Sequence, residues 1–337
     1  MGGDIVVSGL ALSLRVAPCA HICRYCSIEG TRRATGLEFA RFELLVHRFL
    51  DWKAAHGRDD IEISFFVGPS FDYDIDILRG VGRLRARLGW TFRILNLGGL
   101  RTRNGAGLES WLQERQAAGI EGFHASFAGC GEIHDRWNGR AGDFAYQTSI
   151  LRMGGERGMV RHERIFLAQN TLPVIDRLLD ALEHIPGEVR DRYACPFFYS
   201  GLARRHESER ITEDIRDTLP ERVRKLRLWK FGEWRSEREW IPLMKEKAGL
   251  PRKVTLELNI GEANIDRIEA LSCDEIFAEK EQECRENYRR MPGIDELCTR
   301  YADPNDRRIY MLDSDLERKW MDRHRLATSS GAPSISS

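Results

Sequence analysis

The sequence has no surplus of either charge: 52 Lys and Arg residues stand against 52 Asp and Glu, for a formal net charge of +0 at pH 7. Whole-chain electrostatics therefore give no pull toward nucleic acid or an anionic membrane surface, and neither is expected as a partner. There is no run of about 18 apolar residues of the kind a membrane-spanning helix needs. Residues 1–18 carry neither the charged start nor the small-residue cleavage site of a secretory signal. The expectation is a cytoplasmic protein. Cysteine is also sparse: eight in 337 residues is too few for a disulfide framework at this size. No internal repeat occurs, and the segment 328–337, rich in Ser, Gly and Pro, reads as a disordered tail. What is present is 42% hydrophobic residues in a chain long enough for one large core and a smaller appendage.

Hydrophobic periodicity organises the first 205 residues. Ile5 to Val16 reads as a strand, and Glu38 to His56, with Phe42, Leu45, Val46, Phe49 and Leu50 at helical spacing, reads as a helix. Strand and helix then alternate. Strands are predicted at Ile61 to Val67, Thr91 to Leu97, Gly122 to Phe127, His162 to Gln169 and Arg192 to Tyr199. Helices are predicted at Asp74 to Leu88, Gly107 to Ala118, Asp143 to Gly158 and Leu172 to His184. Parallel strands need crossover connections, so the order predicts an α/β fold, a partial (β/α)6 TIM-like barrel over 1–205. Beyond it, 206–327 is predicted to be a smaller C-terminal α+β extension. That part includes a Trp-rich segment (Trp229, Phe231, Trp234, Trp240), a hairpin over Val254 to Ile268 turning near Gly261, and charged helices.

Three of the eight cysteines, Cys19, Cys23 and Cys26, lie within eight residues just after the first strand, whereas Cys130, Cys195, Cys273, Cys284 and Cys298 are isolated. Three thiolates at C-x3-C-x2-C can ligate three irons of a cubane cluster and leave the fourth iron open. The alternative is a structural zinc site in a non-enzymatic interaction protein. Zinc takes four ligands, and the sequence offers no second C-x2-C pair, only His21 inside the loop.

The stretch Cys19-Ala20-His21-Ile22-Cys23-Arg24-Tyr25-Cys26, with an aromatic residue before the third cysteine and a strand before the first, resembles the signature of the radical S-adenosylmethionine (SAM) superfamily. The resemblance implies a 4Fe-4S cluster on the three cysteines, SAM chelated at the open iron, and reductive cleavage of SAM to a 5′-deoxyadenosyl radical that abstracts substrate hydrogen. It further implies an electron donor such as flavodoxin or ferredoxin. The substrate expected is a peptide or a small natural-product precursor.

By the same resemblance, Phe66-Val67-Gly68-Pro69-Ser70 occupies the place of the family's Gly-Gly-Glu turn, so Gly68 is expected to meet SAM through its backbone, without the acidic side chain. Tyr25 is expected beside the cofactor. Ser126, at the end of the fourth strand, and Arg140, with Arg136 as its competitor, are candidates for the SAM ribose and carboxylate, arginine being suited to a bidentate carboxylate contact. Asn170 is a candidate contact as well, or else a helix cap. Cys195, or alternatively Cys130, is the candidate hydrogen donor should the reaction end in epimerisation; core packing is the plain alternative. The residues after the sixth strand and the expected hairpin are similar to the SPASM/twitch extension. Cys273, Cys284 and Cys298 are too far apart in sequence to be read as ligands of an auxiliary cluster.

Overall fold

The computed structural model describes residues 5–28, 34–228 and 234–329. Trp229 and Phe231, and the tail beyond residue 329, lie outside the described residues. In chain order the first half comprises β1 (Ile5–Ala17), α1 (Phe39–Ala55), β2 (Glu62–Pro69), α2 (Ile75–Arg87), β3 (Ile94–Asn96), α3 (Gly105–Ala117), β4 (Gly122–Phe127), α4 (Glu132–Asn138), α5 (Asp143–Glu156), β5 (Val160–Leu167), α6 (Ile175–Glu183) and β6 (Val189–Pro196). The second half adds α7 (Glu213–Asp217), α8 (Glu221–Arg224), β7 (Arg227–Leu228), β8 (Arg235–Ser236), α9 (Glu237–Glu246), β9 (Arg252–Ile260), α10 (Ile265–Ala270), α11 (Cys273–Arg289), α12 (Ile294–Tyr301), β10 (Ile309–Tyr310) and α13 (Asp313–Ser329).

The β/α alternation read from the sequence is present, and its strands are parallel, as a fold of crossover units requires. They fall into two sheets, β2-β1-β9 and β3-β4-β5-β6-β7. In the first sheet, register puts Leu10, Leu12 and Leu14 on the same face as Ile63, Phe65 and Val67 and as Leu256, Leu258 and Ile260. All nine are buried in the main core together with Phe42, Val46 and Phe49 of α1 and Ile276 and Phe277 of α11. At about 1.5–3 kcal/mol for each side chain removed from water, this face anchors the sheet under its helices. The opposite face carries Ser13, Ser64, Phe66, Thr255, Glu257 and Asn259, none of them buried.

Two expectations are corrected. The hairpin over Val254 to Ile268 does not form: β9 is a single strand whose partner is β1, in parallel, and the chain after Gly261 turns into α10. The turn is set locally, with Gly261 N–H donating to Asn264 Oδ1 at 3.0 Å and Asn264 Nδ2 donating to Asn259 O at 2.7 Å. As a result, residues 206–327 are not segregated from the barrel units; β9 extends the sheet of β1, and β7 extends that of β6. A second, smaller hydrophobic cluster of Tyr199, Trp240, Met244, Leu297, Cys298, Tyr310, Leu316 and Trp320 packs the C-terminal helices together.

Candidate metal centre

β1 ends at Ala17, opposite Pro69 at the end of β2, and the cysteine loop begins there. Its backbone is hung from the exits of three other strands. Ala20 N–H donates to Gly99 O after β3 (3.0 Å). Ile22 N–H donates to Asn138 O (2.9 Å) and Arg24 N–H to Trp137 O (2.7 Å), both in α4 after β4. Cys26 O accepts from Leu202 N–H after β6 (2.9 Å). The carboxyl ends of parallel strands are where α/β folds place ligands, and the loop sits there because four segments converge on it.

Two glycines make the approach close enough. Gly99 has φ +77°, and a Cβ on it would lie 2.6 Å from Cys19 Sγ. Gly201 has φ +51°, and a Cβ there would run into Cys26 O. Only glycine combines a left-handed backbone with that clearance. Gly99 is not among the residues singled out from the sequence; the Gly98-Gly99 pair directly after a strand is the available signal.

The thiols influence one another. Burial pushes the Cys23 thiol well above its usual range, and the charges of Cys19 and Cys26 push it further. Cys26 Sγ donates to Ile28 O at 3.2 Å. Among the described residues no three His, Cys, Asp or Glu side chains already stand as a ligand shell. The donor set nevertheless fits an iron-sulfur cluster. Three sulfurs share one loop, and the burial and mutual repulsion that hold Cys23 protonated are what a bound cationic centre offsets, since thiolates are the ligating form.

Behind the loop lies a fully buried carboxylate, Asp143, at the start of α5. His134 Nε2 lies 3.1 Å from its Oδ2, Gln147 Nε2 donates to Oδ2 at 2.8 Å, and Asn138 Nδ2 donates to the same oxygen. Arg140 Nε donates to Oδ1 at 3.0 Å. His21, inside the cysteine loop, brings Nε2 to 3.2 Å from Oδ1, off the alignment of a full hydrogen bond. The tautomers follow from the other ring nitrogens: Nδ1 of His21 accepts from Gly99 N–H and Nδ1 of His134 from Ala128 N–H, each at 3.2 Å, which leaves the protons on Nε2. Burial alone would raise the Asp143 pKa, but the contacts from His134 and His21 outweigh it and hold the carboxyl far below its ordinary range.

The inner wall is set by register. Ser126 pairs with Arg164 and Arg164 with Tyr193, while Phe166 pairs with Cys195, so all five share one face with His124. That face meets the cysteine loop, because the Tyr25 ring packs on Phe166 with centroids 4.3 Å apart. Tyr25 also stacks on Trp137 at 6.4 Å, and its hydroxyl donates to Asn138 Oδ1. Tyr193 OH accepts from Arg164 Nε at 2.9 Å and lies 3.1 Å from His124 Nε2. Burial, helped by the charges of Arg164 and His162, holds His124 down at about 3, so its ring is neutral. Cys195 is fully buried on this face, and burial pushes its thiol up to about 12.

The other candidates are distributed as follows. Gly68 is buried at the end of β2, next to Ser70, whose N–H donates to Ala17 O at 3.2 Å and whose Oγ donates to Gly99 O at 2.9 Å. Arg140 is committed within the protein, to Asp143 and to Leu100 O, with its guanidinium 5.2 Å over the Tyr146 ring. Arg136 is exposed. Asn170 is not a side-chain cap; its Oδ1 accepts from Trp137 Nε1 at 3.0 Å, bracing the same indole that carries Tyr25. Cys130 follows β4 half-buried. Cys273 and Cys284 lie on α11, and Cys298 lies on α12 in the separate C-terminal cluster.

No family model matches the sequence, and no curated protein matches it. Among solved structures the chain is similar to Streptococcus suis SuiB bound to its precursor peptide SuiA, at 11% identity and a TM-score of 0.38 over 57% of this chain and 40% of that one. It is similar to anSMEcpe with bound AdoMet at 14% identity and a TM-score of 0.36, over 56% of this chain and 53% of that one. The chain spans less than two thirds of the length of each structure named. The likeness extends to a radical SAM enzyme, coproporphyrinogen III oxidase (HemN) from Escherichia coli, at 10% identity and a TM-score of 0.41 over 76% of this chain and 64% of that one.

Proposed function

We propose that this protein is a radical SAM enzyme whose 4Fe-4S cluster is held by Cys19, Cys23 and Cys26. The observation that carries the reading is the placement of the C-x3-C-x2-C loop at the carboxyl end of β1, bound through its backbone to the exits of β3, β4 and β6. When bound, the cluster and SAM together supply reductive cleavage of the SAM sulfonium and abstraction of a hydrogen atom from substrate. This chain's own residues orient the reactants and exclude water. Tyr25, packed between Phe166 and Trp137, walls the cofactor side of the loop. Gly68 and Ser126 keep their proposed SAM contacts, the first near the end of β2, opposite Arg15, and the second on the inner face. Asn170 reaches that region only through Trp137. The commitments of Arg140 favour bracing of the loop over carboxylate binding.

The substrate is a peptide or a small natural-product precursor, and an electron donor such as flavodoxin or ferredoxin supplies the reducing electron. The polar face of β1, β2 and β9, with Thr255, Glu257 and Asn259 exposed, supports a substrate of that class because it offers hydrogen-bonding groups along an extended wall. Cys195, on the same face as Phe166, is the proposed hydrogen donor if the product is an epimer; a buried thiol of raised pKa stays protonated and so keeps the hydrogen it must give.

Anaerobic reconstitution with iron and sulfide tests the reading. A brown protein with about four irons per chain that releases 5′-deoxyadenosine from SAM only under reduction supports it. A colourless chain that takes up one zinc and no iron refutes it. In deuterated water, an epimerised product should carry one solvent deuterium, and Cys195→Ala should lose inversion while still forming 5′-deoxyadenosine.

A further inference from the structure

We propose that Asp143 is the positioning residue of the cysteine loop: through His21, Asn138 and Arg140 its buried carboxylate fixes the loop against the exits of β3 and β4, and its charge sets how readily the metal centre held there is reduced. The inference rests on the radical SAM reading and adds to it a residue outside the cysteine motif.

The argument starts from the cost of burying a carboxylate. An ion removed from water persists only where several donors converge on it, and here they come from separate elements. His21 belongs to the cysteine loop, His134 and Asn138 to α4, Arg140 to the turn after it, and Gln147 to α5. Three of these donors are themselves tied to a strand exit. His21 accepts from Gly99 N–H, Arg140 donates to Leu100 O, and His134 accepts from Ala128 N–H. Asn138 binds the loop twice, taking Ile22 N–H on its main-chain oxygen and the Tyr25 hydroxyl on its side-chain oxygen. Asp143 is the common acceptor of this set, so a change there reaches both the His21 side and the Tyr25 side of the loop.

The electrostatic half follows from the same geometry. Asp143 is fully buried, and its Oδ1 lies 3.2 Å from Nε2 of His21, which stands between Cys19 and Cys23 in the loop. Reduction adds an electron to the metal centre, and a fixed negative charge in a weakly screened interior opposes it. Asp143 therefore holds the potential down, and its removal should raise it.

The test uses the full chain after anaerobic reconstitution, with wild type, Asp143→Asn, Asp143→Glu and His21→Gln compared by iron content, thermal melting, the electron paramagnetic resonance of the reduced state and redox titration. Asp143→Asn keeps the shape and removes the charge. It should be about tenfold easier to reduce, a positive shift of about 59 mV for one electron, with a changed resonance line shape and at least half of the iron lost on desalting. Asp143→Glu, which keeps the charge, should return the potential to within a third of that shift. His21→Gln, which loosens the loop alone, should lose iron with little change in potential. Wild-type iron content, potential and line shape in Asp143→Asn would overturn the inference while leaving the radical SAM reading intact. Should Asp143→Asn not fold, full iron retention in a folded His21→Gln chain would overturn it. A wild-type chain that takes up no iron would overturn the radical SAM reading, and this inference with it.

Discussion

Replacing Gly99 by alanine places a methyl group 2.6 Å from Cys19 Sγ and 3.3 Å from the Ser70 side chain, on a backbone held at φ +77°. Two penalties add. A left-handed backbone costs a non-glycine residue about 1–2 kcal/mol, and forcing an extra methyl into a packed site costs about 1–3 kcal/mol. The sum, roughly 2–5 kcal/mol, is a large part of the 5–15 kcal/mol that holds a typical domain together. The relief open to the chain is to push the Cys19 thiol aside or to break the Ala20 N–H···O Gly99 and Gly99 N–H···Nδ1 His21 bonds, and each of these moves the ligand loop. Urea unfolding of Gly99→Ala should therefore show a lowered midpoint, and the reconstituted protein should hold less iron. Gly107→Ala is the control, because a Cβ there meets nothing within 4 Å and lies inside α3; it should be neutral or gain about 0.5–1 kcal/mol. A Gly99→Ala chain as stable and as iron-rich as wild type would refute the close approach of the β3 exit to Cys19.

Lys319 is fully buried and paired with Glu237 at 2.5 Å, with Glu207 at 2.8 Å and with Asp306. Lys319→Met takes the ammonium from buried Glu237, leaves Asp306 and Glu207 to Arg308 alone, and should cost about 3–5 kcal/mol in urea unfolding; an unchanged midpoint would count against the pairing. His124, held at about 3 against an unfolded value near 6.5, is neutral in the fold but takes a proton in the unfolded chain once the pH drops below 6.5. Its contribution is intact above that pH and is lost as the pH falls toward 3, by about 2 kcal/mol at pH 5. His124→Gln should flatten the fall in stability between pH 7 and pH 5, and an equally steep fall in the variant would show that His124 is not the group responsible.

The alternation of β1 to β6 with their helices was legible because buried parallel strands are short apolar runs and the helices between them are amphipathic, both local properties of the chain. The cysteine loop was legible for the same reason: its three thiols are close in sequence. The partner of β9 was not. Its alternating Val254, Leu256, Leu258 and Ile260 announce a strand, but nothing local says that the neighbouring strand is β1, with Gly9 paired to Thr255. Next to Gly261, that ambiguity reads as a hairpin. The partner of Arg140 was hidden in a similar way. An arginine after β4 suits a carboxylate ligand, but the carboxylate it meets is Asp143, three residues on and buried by contacts with His21 and His134 that sequence spacing does not reveal. The role of Gly99 was not legible because its importance lies in what it touches, the sulfur of Cys19.

The most direct test of the account is the formation of 5′-deoxyadenosine from SAM, under anaerobic reduction, by the reconstituted wild type and by a chain carrying Cys19→Ala, Cys23→Ala and Cys26→Ala together. The account predicts steady 5′-deoxyadenosine formation by the wild type and none by the triple variant, with the two chains giving the same circular dichroism spectrum. Formation at an equal rate by both, or by neither when the wild type has been loaded with iron, would contradict it.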